Sequence, residues 1–331
     1  MTAQRRSRPE SRSSSEVTVD RVYDGSLYVR VSTIGNTGDR PFVLVPGIGV
    51  SSNYFERLAP NLNRFGPVHA LDLPGFAGVP HPVEALSIRG YAELVGRVID
   101  ELGLVDPIVV GHSMGTQIVT DLASRRPEIS TLVLIGPVVN PAERRIPRQA
   151  VRFLQSAWHE PGRVKFLAVS SYLLCGVKWF LRVLPRMMTF PIEDRLPLVN
   201  AHTLVIRGQY DAVAPRDWVT RVGELLPHSL SYEMPDSAHS VMHAHAEEVA
   251  RLCVAFAENP GRDDDALRHY DLSADDIPDD EDEKAPADAA KGLVGRLTET
   301  VGILRADDET IAKGKTMHAE AMNEPGTLDE H

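Results

Sequence analysis

The chemistry this sequence can support begins at Ser113, which stands in Gly111-His112-Ser113-Met114-Gly115 and fits G-x-S-x-G. Ile108-Val109-Val110 before it reads as a buried strand, and Ile118, Val119 and Leu122 after it fall at helical spacing. Strand, sharp turn and helix are the context the motif requires. With no side chain at either glycine, the backbone can fold tightly enough to hold Ser113 in a strained, exposed position above the end of a sheet. The amides opening the helix point at the same place, so Met114 N–H is expected to stabilise developing negative charge. Two glycines around a serine also arise by chance, so the rest of the chain must supply partners.

A serine hydroxyl is a poor nucleophile at neutral pH and needs a neutral imidazole to take its proton and a carboxylate to orient that imidazole. His239 follows the apolar run Leu230–Met234 in a short loop of small polar residues, from which it can reach back over the strand ends. His243 and His245 compete for the role, but they fall on or near the following helix and are expected to point away. The three histidines do not share a helix face and no partner His-Glu motif accompanies them, so no metal site is expected. For the acid, Asp211 comes directly after the apolar run Thr203–Arg207. Asp236 is too near His239 in the chain to hold the ring from behind, and Glu143, after an earlier strand, is the main rival. Ser113, Asp211 and His239 follow the chain order nucleophile, acid, histidine.

These residues need a scaffold that brings distant strand ends together. Val17–Tyr23 and Leu27–Ser32 alternate around Asp24-Gly25, a hairpin signal. Phe42–Val45, Val68–Leu71, Ile108–Val110, Thr131–Ile135 and Thr203–Arg207 are short apolar runs separated by helical patterns, among them Ile88–Leu102 and 216–226. Such alternation implies βαβ units: a mostly parallel central sheet with helices on both faces, whose sites form at the carboxyl ends of the strands. Between residues 140 and 200 the alternation stops. Residues 150–188 are helical in type and rich in large apolar side chains, as expected of a helical cap laid over the strand ends. Most of these side chains are expected to pack the cap onto the core. An apolar substrate pocket above Ser113 is expected to draw on Trp158, Phe166, Tyr172 and Trp179, with Phe76 and Val213 from strand-end loops.

In their order and spacing, Pro46-Gly47-Ile48-Gly49, Asp72-Leu73-Pro74-Gly75-Phe76, Gly111–Gly115, Gly208-Gln209-Tyr210-Asp211 and the His239 loop resemble the α/β-hydrolase fold superfamily over roughly Val17 to Glu258. That resemblance implies a core of residues 17–139 and 201–259, and an oxyanion hole made by the backbone N–H groups of Ile48 and Met114. The family often has His-Gly where this chain has Pro46-Gly47. The donors are main-chain groups, so the hole is expected to survive the change. The resemblance implies a serine hydrolase for an ester, thioester or lactone with an apolar moiety, requiring no metal or organic cofactor. Serine at the nucleophile position argues against the alkylated carboxylate of haloalkane dehalogenases and epoxide hydrolases. Carbon–carbon bond hydrolysis, acyl transfer and perhydrolysis can use the same triad, and a non-catalytic ligand-binding or interaction protein is the alternative of another class.

Composition bounds the remainder. The 331 residues carry a formal net charge of −11 and are 43% hydrophobic, which permits a large core and argues against general nucleic-acid binding. Two cysteines, Cys175 and Cys253, make no disulfide framework, and a reducing cytoplasm is the simpler expectation. Residues 1–16, basic and Ser-rich, lack the apolar stretch of a secretory signal and are expected to form a disordered leader. No apolar run approaches the roughly 20 residues that span a bilayer. Residues 260–290 are dense in Asp and Glu and are expected to form a disordered acidic linker. Residues 291–331 are expected to be a partly helical tail that weakly resembles the small CsbD-like stress proteins, around Gly295, Glu299-Thr300-Val301-Gly302, Asp307-Asp308 and Gly314-Lys315.

Overall fold

The computed structural model describes residues 16–35, 40–160, 175–260, 295, 298–303 and 305–323. Nearly all of the expected leader and acidic linker lie outside the described residues, as do Phe166 and Tyr172.

Eight strands form one sheet: β1 (Val17–Asp24), β2 (Leu27–Ile34), β3 (Phe42–Val45), β4 (Val68–Asp72), β5 (Ile108–His112), β6 (Thr131–Ile135), β7 (His202–Gly208) and β8 (Ser229–Met234). Their spatial order is β1-β2-β4-β3-β5-β6-β7-β8. β2 pairs antiparallel with both of its neighbours and every other pairing is parallel. Every residue of β3, β4, β5 and β6 is buried, which is why these segments read as continuous apolar runs with no polar alternation.

Helices cover both faces. On one, α2 (Ile88–Glu101), α3 (Met114–Ala123) and α6 (Arg216–Leu225) bury Val95, Ile118 and Val219 against Val109 and Leu134. On the other, α1 (Leu58–Leu62) and α8 (Ala246–Glu258) bury Leu58, Leu62, Val249 and Phe256 against Leu44 and Val110. Local sequence sets the limits of α2. Ser87 Oγ accepts the Gly90 amide at 3.0 Å and starts the helix. Ile88, Tyr91, Leu94, Val95 and Val98 then fall on one buried face.

Among the described residues, two α-helices follow β6 before the chain returns to the sheet: α4 (Ile146–His159) and α5 (Val177–Thr189). Gln117 Nε2, on α3, donates to the Met187 carbonyl at 3.0 Å and pins α5 to the core. Arg144 Nη2 donates to the Phe190 carbonyl at 2.9 Å, joining the segment before α4 to the one after α5. α7 (Val241–Ala244) is a single turn between the His239 loop and α8.

The C-terminal helix α9 (Asp308–Asn323) packs on the edge strand β1, where Thr316 Oγ1 accepts the Val17 amide at 2.8 Å. Ile311 and Ala319 are buried in this contact region. Lys315 Nζ donates to Ser52 Oγ at 2.6 Å and Asn53 Oδ1 at 3.2 Å, and lies 3.5 Å from Glu299 Oε1. Buried Glu56 faces His318 Nε2 at 3.0 Å through one carboxylate oxygen and His243 Nε2 at 3.2 Å through the other. The tail therefore has its own polar and apolar seat on the core.

Candidate active site

The site is built where β5 turns into α3. Ser113 has φ 53° and ψ −120°, a conformation that costs a residue with a Cβ about 1–2 kcal/mol. Its amide donates to the Ile135 carbonyl at 3.0 Å, tying the turn to β6. The flanking glycines are required by space. A Cβ at Gly111 would lie 2.6 Å from the Gly115 carbonyl oxygen, and one at Gly115 would lie 2.2 Å from that of Val45. α3 thus starts in contact with the end of β3, and Gly47 of the loop after β3 lies against the Ser113 side chain.

The expected acid and base meet at the ends of β7 and β8. Asp211 Oδ2 lies 2.8 Å from His239 Nδ1, and both residues are buried. Asp211 Oδ1 accepts the amides of Val213 at 2.9 Å and Ala214 at 3.0 Å. Burial opposes the charged carboxylate, but the attraction and hydrogen bond of His239, helped by the Ala214 amide and Arg207, outweigh it and hold Asp211 below its ordinary range. Burial likewise opposes protonation of His239, and Asp211 overcomes it, leaving the imidazole above its ordinary value. With Nδ1–H donated to Asp211, Nε2 of the neutral ring is the proton acceptor. Gly136, at the end of β6, makes room for the pair: a Cβ there would lie 2.8 Å from His239 Cε1 and 3.1 Å from Asp211 Oδ2.

The competing residues are engaged elsewhere. His243 faces Glu56, His245 Nδ1 lies 3.6 Å from Glu248, and Asp236 Oδ1 accepts the Tyr210 hydroxyl at 3.5 Å. Glu143 is buried and bound by Arg148 and Arg152, which hold its carboxyl below the usual range despite burial. Among the described residues no cluster of His, Cys, Asp or Glu is arranged to hold a metal ion.

Ser113 and His239 open onto one cavity of about 640 Å³, lined mainly by apolar side chains. Ile48 lies on its wall, and Met114 opens α3 beside it. Of the expected pocket residues, Val213 lines this cavity. Three others do not. Phe76 is fully buried and stacks on Tyr91 with ring centroids 6.1 Å apart. Trp179 is buried against Gly75 and stacks on His81 at 4.7 Å. Trp158 is 83% exposed, on the outward face of α4. The helical faces that meet the cavity carry Phe153 and Ala157 on α4 and Phe180, Leu184 and Met187 on α5. Spacing gave these residues no mark that separated them from others in the same apolar stretch.

Two polar residues at the site carried no signal in the sequence. Glu160, just after α4, is buried on the cavity wall and accepts the Ser240 amide through Oε1 at 2.8 Å. Burial raises its carboxyl above the usual range, against the opposing pull of the Ser240 bond and His239. His112 Nε2 lies 3.2 Å from the His239 carbonyl oxygen, and because that oxygen only accepts, Nε2 carries the hydrogen. Burial, followed by the proximity of His239, pushes His112 down to about 3, so it stays neutral and acts as a fixed donor.

Comparison with known proteins places the chain in a family. Residues 42–252 match the alpha/beta hydrolase family. A pimeloyl-[acyl-carrier protein] methyl ester esterase of Yersinia enterocolitica is 24% identical over 249 residues, 67% of this chain and 94% of that protein. The fold is shared with a bacterial membrane phospholipase A, at TM-score 0.63 and 22% identity over 77% of this chain and 88% of that one. It is also shared with an esterase from Exiguobacterium antarcticum, at TM-score 0.63 and 18% identity over 73% of this chain and 99% of that one. A meta-cleavage product hydrolase from Pseudomonas fluorescens aligns at TM-score 0.60 and 20% identity over 72% of this chain and 97% of that one. By its match over most of the core, the chain belongs to the alpha/beta hydrolase family and is a hydrolase enzyme.

Proposed function

We propose that the protein is a serine hydrolase that cleaves a carboxylic ester, thioester or lactone carrying a sizeable apolar acyl part. The observation that carries this reading is the opening of Ser113 and of His239, whose ring is held from behind by Asp211, onto the same apolar cavity. Ser113 Oγ attacks the substrate carbonyl while His239 Nε2 takes its proton, and Asp211 stabilises the imidazolium that forms. The carbonyl oxygen becomes an oxyanion received by the Ile48 and Met114 amides. Collapse of the tetrahedral adduct breaks the bond to the leaving alcohol or thiol, which receives the His239 proton. Water, deprotonated by His239, then attacks the acyl-enzyme and returns Ser113 to its starting state.

Residues 140–200 act as the cap in this proposal. Phe153, Phe180, Leu184 and Met187, together with Val213, form the acyl wall. The core comprises residues 17–139 and 201–259, and the C-terminal segment is an accessory element. A series of chromogenic esters of increasing acyl length tests the substrate class. Each methylene buried in the cavity contributes about 0.8 kcal/mol, roughly fourfold in kcat/KM. The expected series rises from acetyl to medium chains, and a flat or falling series contradicts the acyl assignment.

A further inference from the structure

The rim of the cavity is apolar and faces solvent. Ile146, Phe153, Leu154 and Val177 line the cavity and are also 48%, 40%, 68% and 65% exposed. The apolar surface continues outward from the mouth. Val151, Leu154 and Trp158 recur at i, i+3 and i+7 on the outer side of α4, 53%, 68% and 83% exposed, and Leu181 lies one turn beyond Val177 on α5. α4 thus carries apolar side chains on its cavity side and exposed apolar side chains away from it, whereas the exposed positions of an amphipathic helix are ordinarily polar. Contiguous exposed apolar surface around a pocket mouth marks a place where something docks.

Charge identifies the occupant. Residues 140–200 carry ten Arg and Lys against four Asp and Glu, in a chain whose net charge is −11. Arg145 at the start of α4, and Lys178, Arg182 and Arg186 on α5, are exposed beside these surfaces. A solvent-exposed tryptophan and leucines flanked by cations form the pattern of a helix lying in a lipid interface, with its apolar face among the acyl chains and its basic side chains at anionic headgroups. No helix among the described residues is long and apolar enough to cross a membrane, so contact of this kind would be peripheral.

We propose that α4 and α5 dock the protein on an anionic phospholipid bilayer, with the cavity mouth turned to the membrane so that apolar substrate enters without crossing water. The test is co-sedimentation of the full chain with vesicles of phosphatidylcholine containing about one third phosphatidylglycerol, against pure phosphatidylcholine. Binding is expected to the anionic vesicles, to weaken with added salt, and to be accompanied by a blue shift of tryptophan emission. Lys178→Glu/Arg182→Glu and, separately, Val151→Ser/Trp158→Ser should each lower the partition coefficient by roughly tenfold or more, with hydrolysis of a short water-soluble ester unchanged. Sedimentation reads binding without turnover, so its outcome is independent of the proposed triad. Equal binding by wild type and both variants overturns the proposal. So does the absence of vesicle binding, including the case where the same basic residues bind an acidic acyl carrier protein instead.

Discussion

Glu160 Oε1 and the Ser240 amide lie 2.8 Å apart, so a buried carboxylate at the end of α4 holds the residue that follows His239. The base of the proposed triad is therefore held at three points: by Asp211 at its ring, and by His112 and Glu160 at the carbonyl and the N–H of the peptide that joins it to Ser240. Glu160→Ala leaves the Ser240 amide without its buried partner, at a cost of about 1–3 kcal/mol, and should lower both Tm and kcat/KM. Glu160→Gln keeps an acceptor and should be milder in Tm. It also removes a negative charge that favours the protonated His239, so the acid limb of the pH–rate profile should move to lower pH. Differential scanning calorimetry and pH profiles of both variants check the pair.

The pH dependence follows from the state His239 must occupy. The proposed base works only as neutral imidazole, and Asp211 raises the pKa of His239 above the ordinary 6.5. Activity is therefore expected to rise with pH through a midpoint above 6.5 and to be lost below it. Asp211→Asn should remove the stabilisation of the imidazolium, shift that midpoint down and reduce kcat by roughly 10⁴-fold. A wild-type midpoint at or below the ordinary histidine value would contradict the assignment of Asp211.

Gly136 carries a sharper steric prediction. Its φ of 56° already disfavours any other residue, and an added Cβ would lie 2.8 Å from His239 Cε1. Gly136→Ala should cost about 1–2 kcal/mol of stability from the backbone alone. Displacing the imidazole should reduce kcat/KM on the order of 10²-fold. Urea unfolding and steady-state kinetics on the one variant separate the two effects.

Much of this site was legible because its parts sit at the ends of short apolar runs. Pro46–Gly49, Gly111–Gly115, Asp211 and His239 each follow a strand whose composition announces burial, and the order of those strands places them on one edge. Trp158, Trp179 and Phe76 were misplaced for a different reason. Large aromatic residues in an apolar helix can face the cavity, the core or solvent, and only the helix rotation decides; here Trp179 turns to His81 and Trp158 outward. Glu160 was silent because one carboxylate near a helix end reads as solvated unless its tertiary partner, 80 residues away, is known.

The C-terminal segment was harder still. A Cβ at Gly314 would lie 2.3 Å from the Glu299 amide nitrogen, so this glycine lets two backbones cross in contact, a role that shows only once the two segments are placed together. Removing residues 261–331 should uncover β1 and leave Glu56 without His318. The expected result is a fall in Tm of about 4 °C or more, with kcat/KM at 25 °C within about twofold of the full chain. An unchanged Tm would mean that the packing of α9 on β1 contributes nothing to stability.

The central claim is that Ser113 is the nucleophile. Intact-protein mass spectrometry after treatment with a fluorophosphonate probe tests it most directly, with peptide mapping to locate the adduct and hydrolysis of a chromogenic ester measured in parallel. One adduct on Ser113 is expected, with label and hydrolysis both lost in Ser113→Ala and label slowed in His239→Ala. A Ser113→Ala protein that is still labelled and still hydrolyses ester at the wild-type rate would contradict the account.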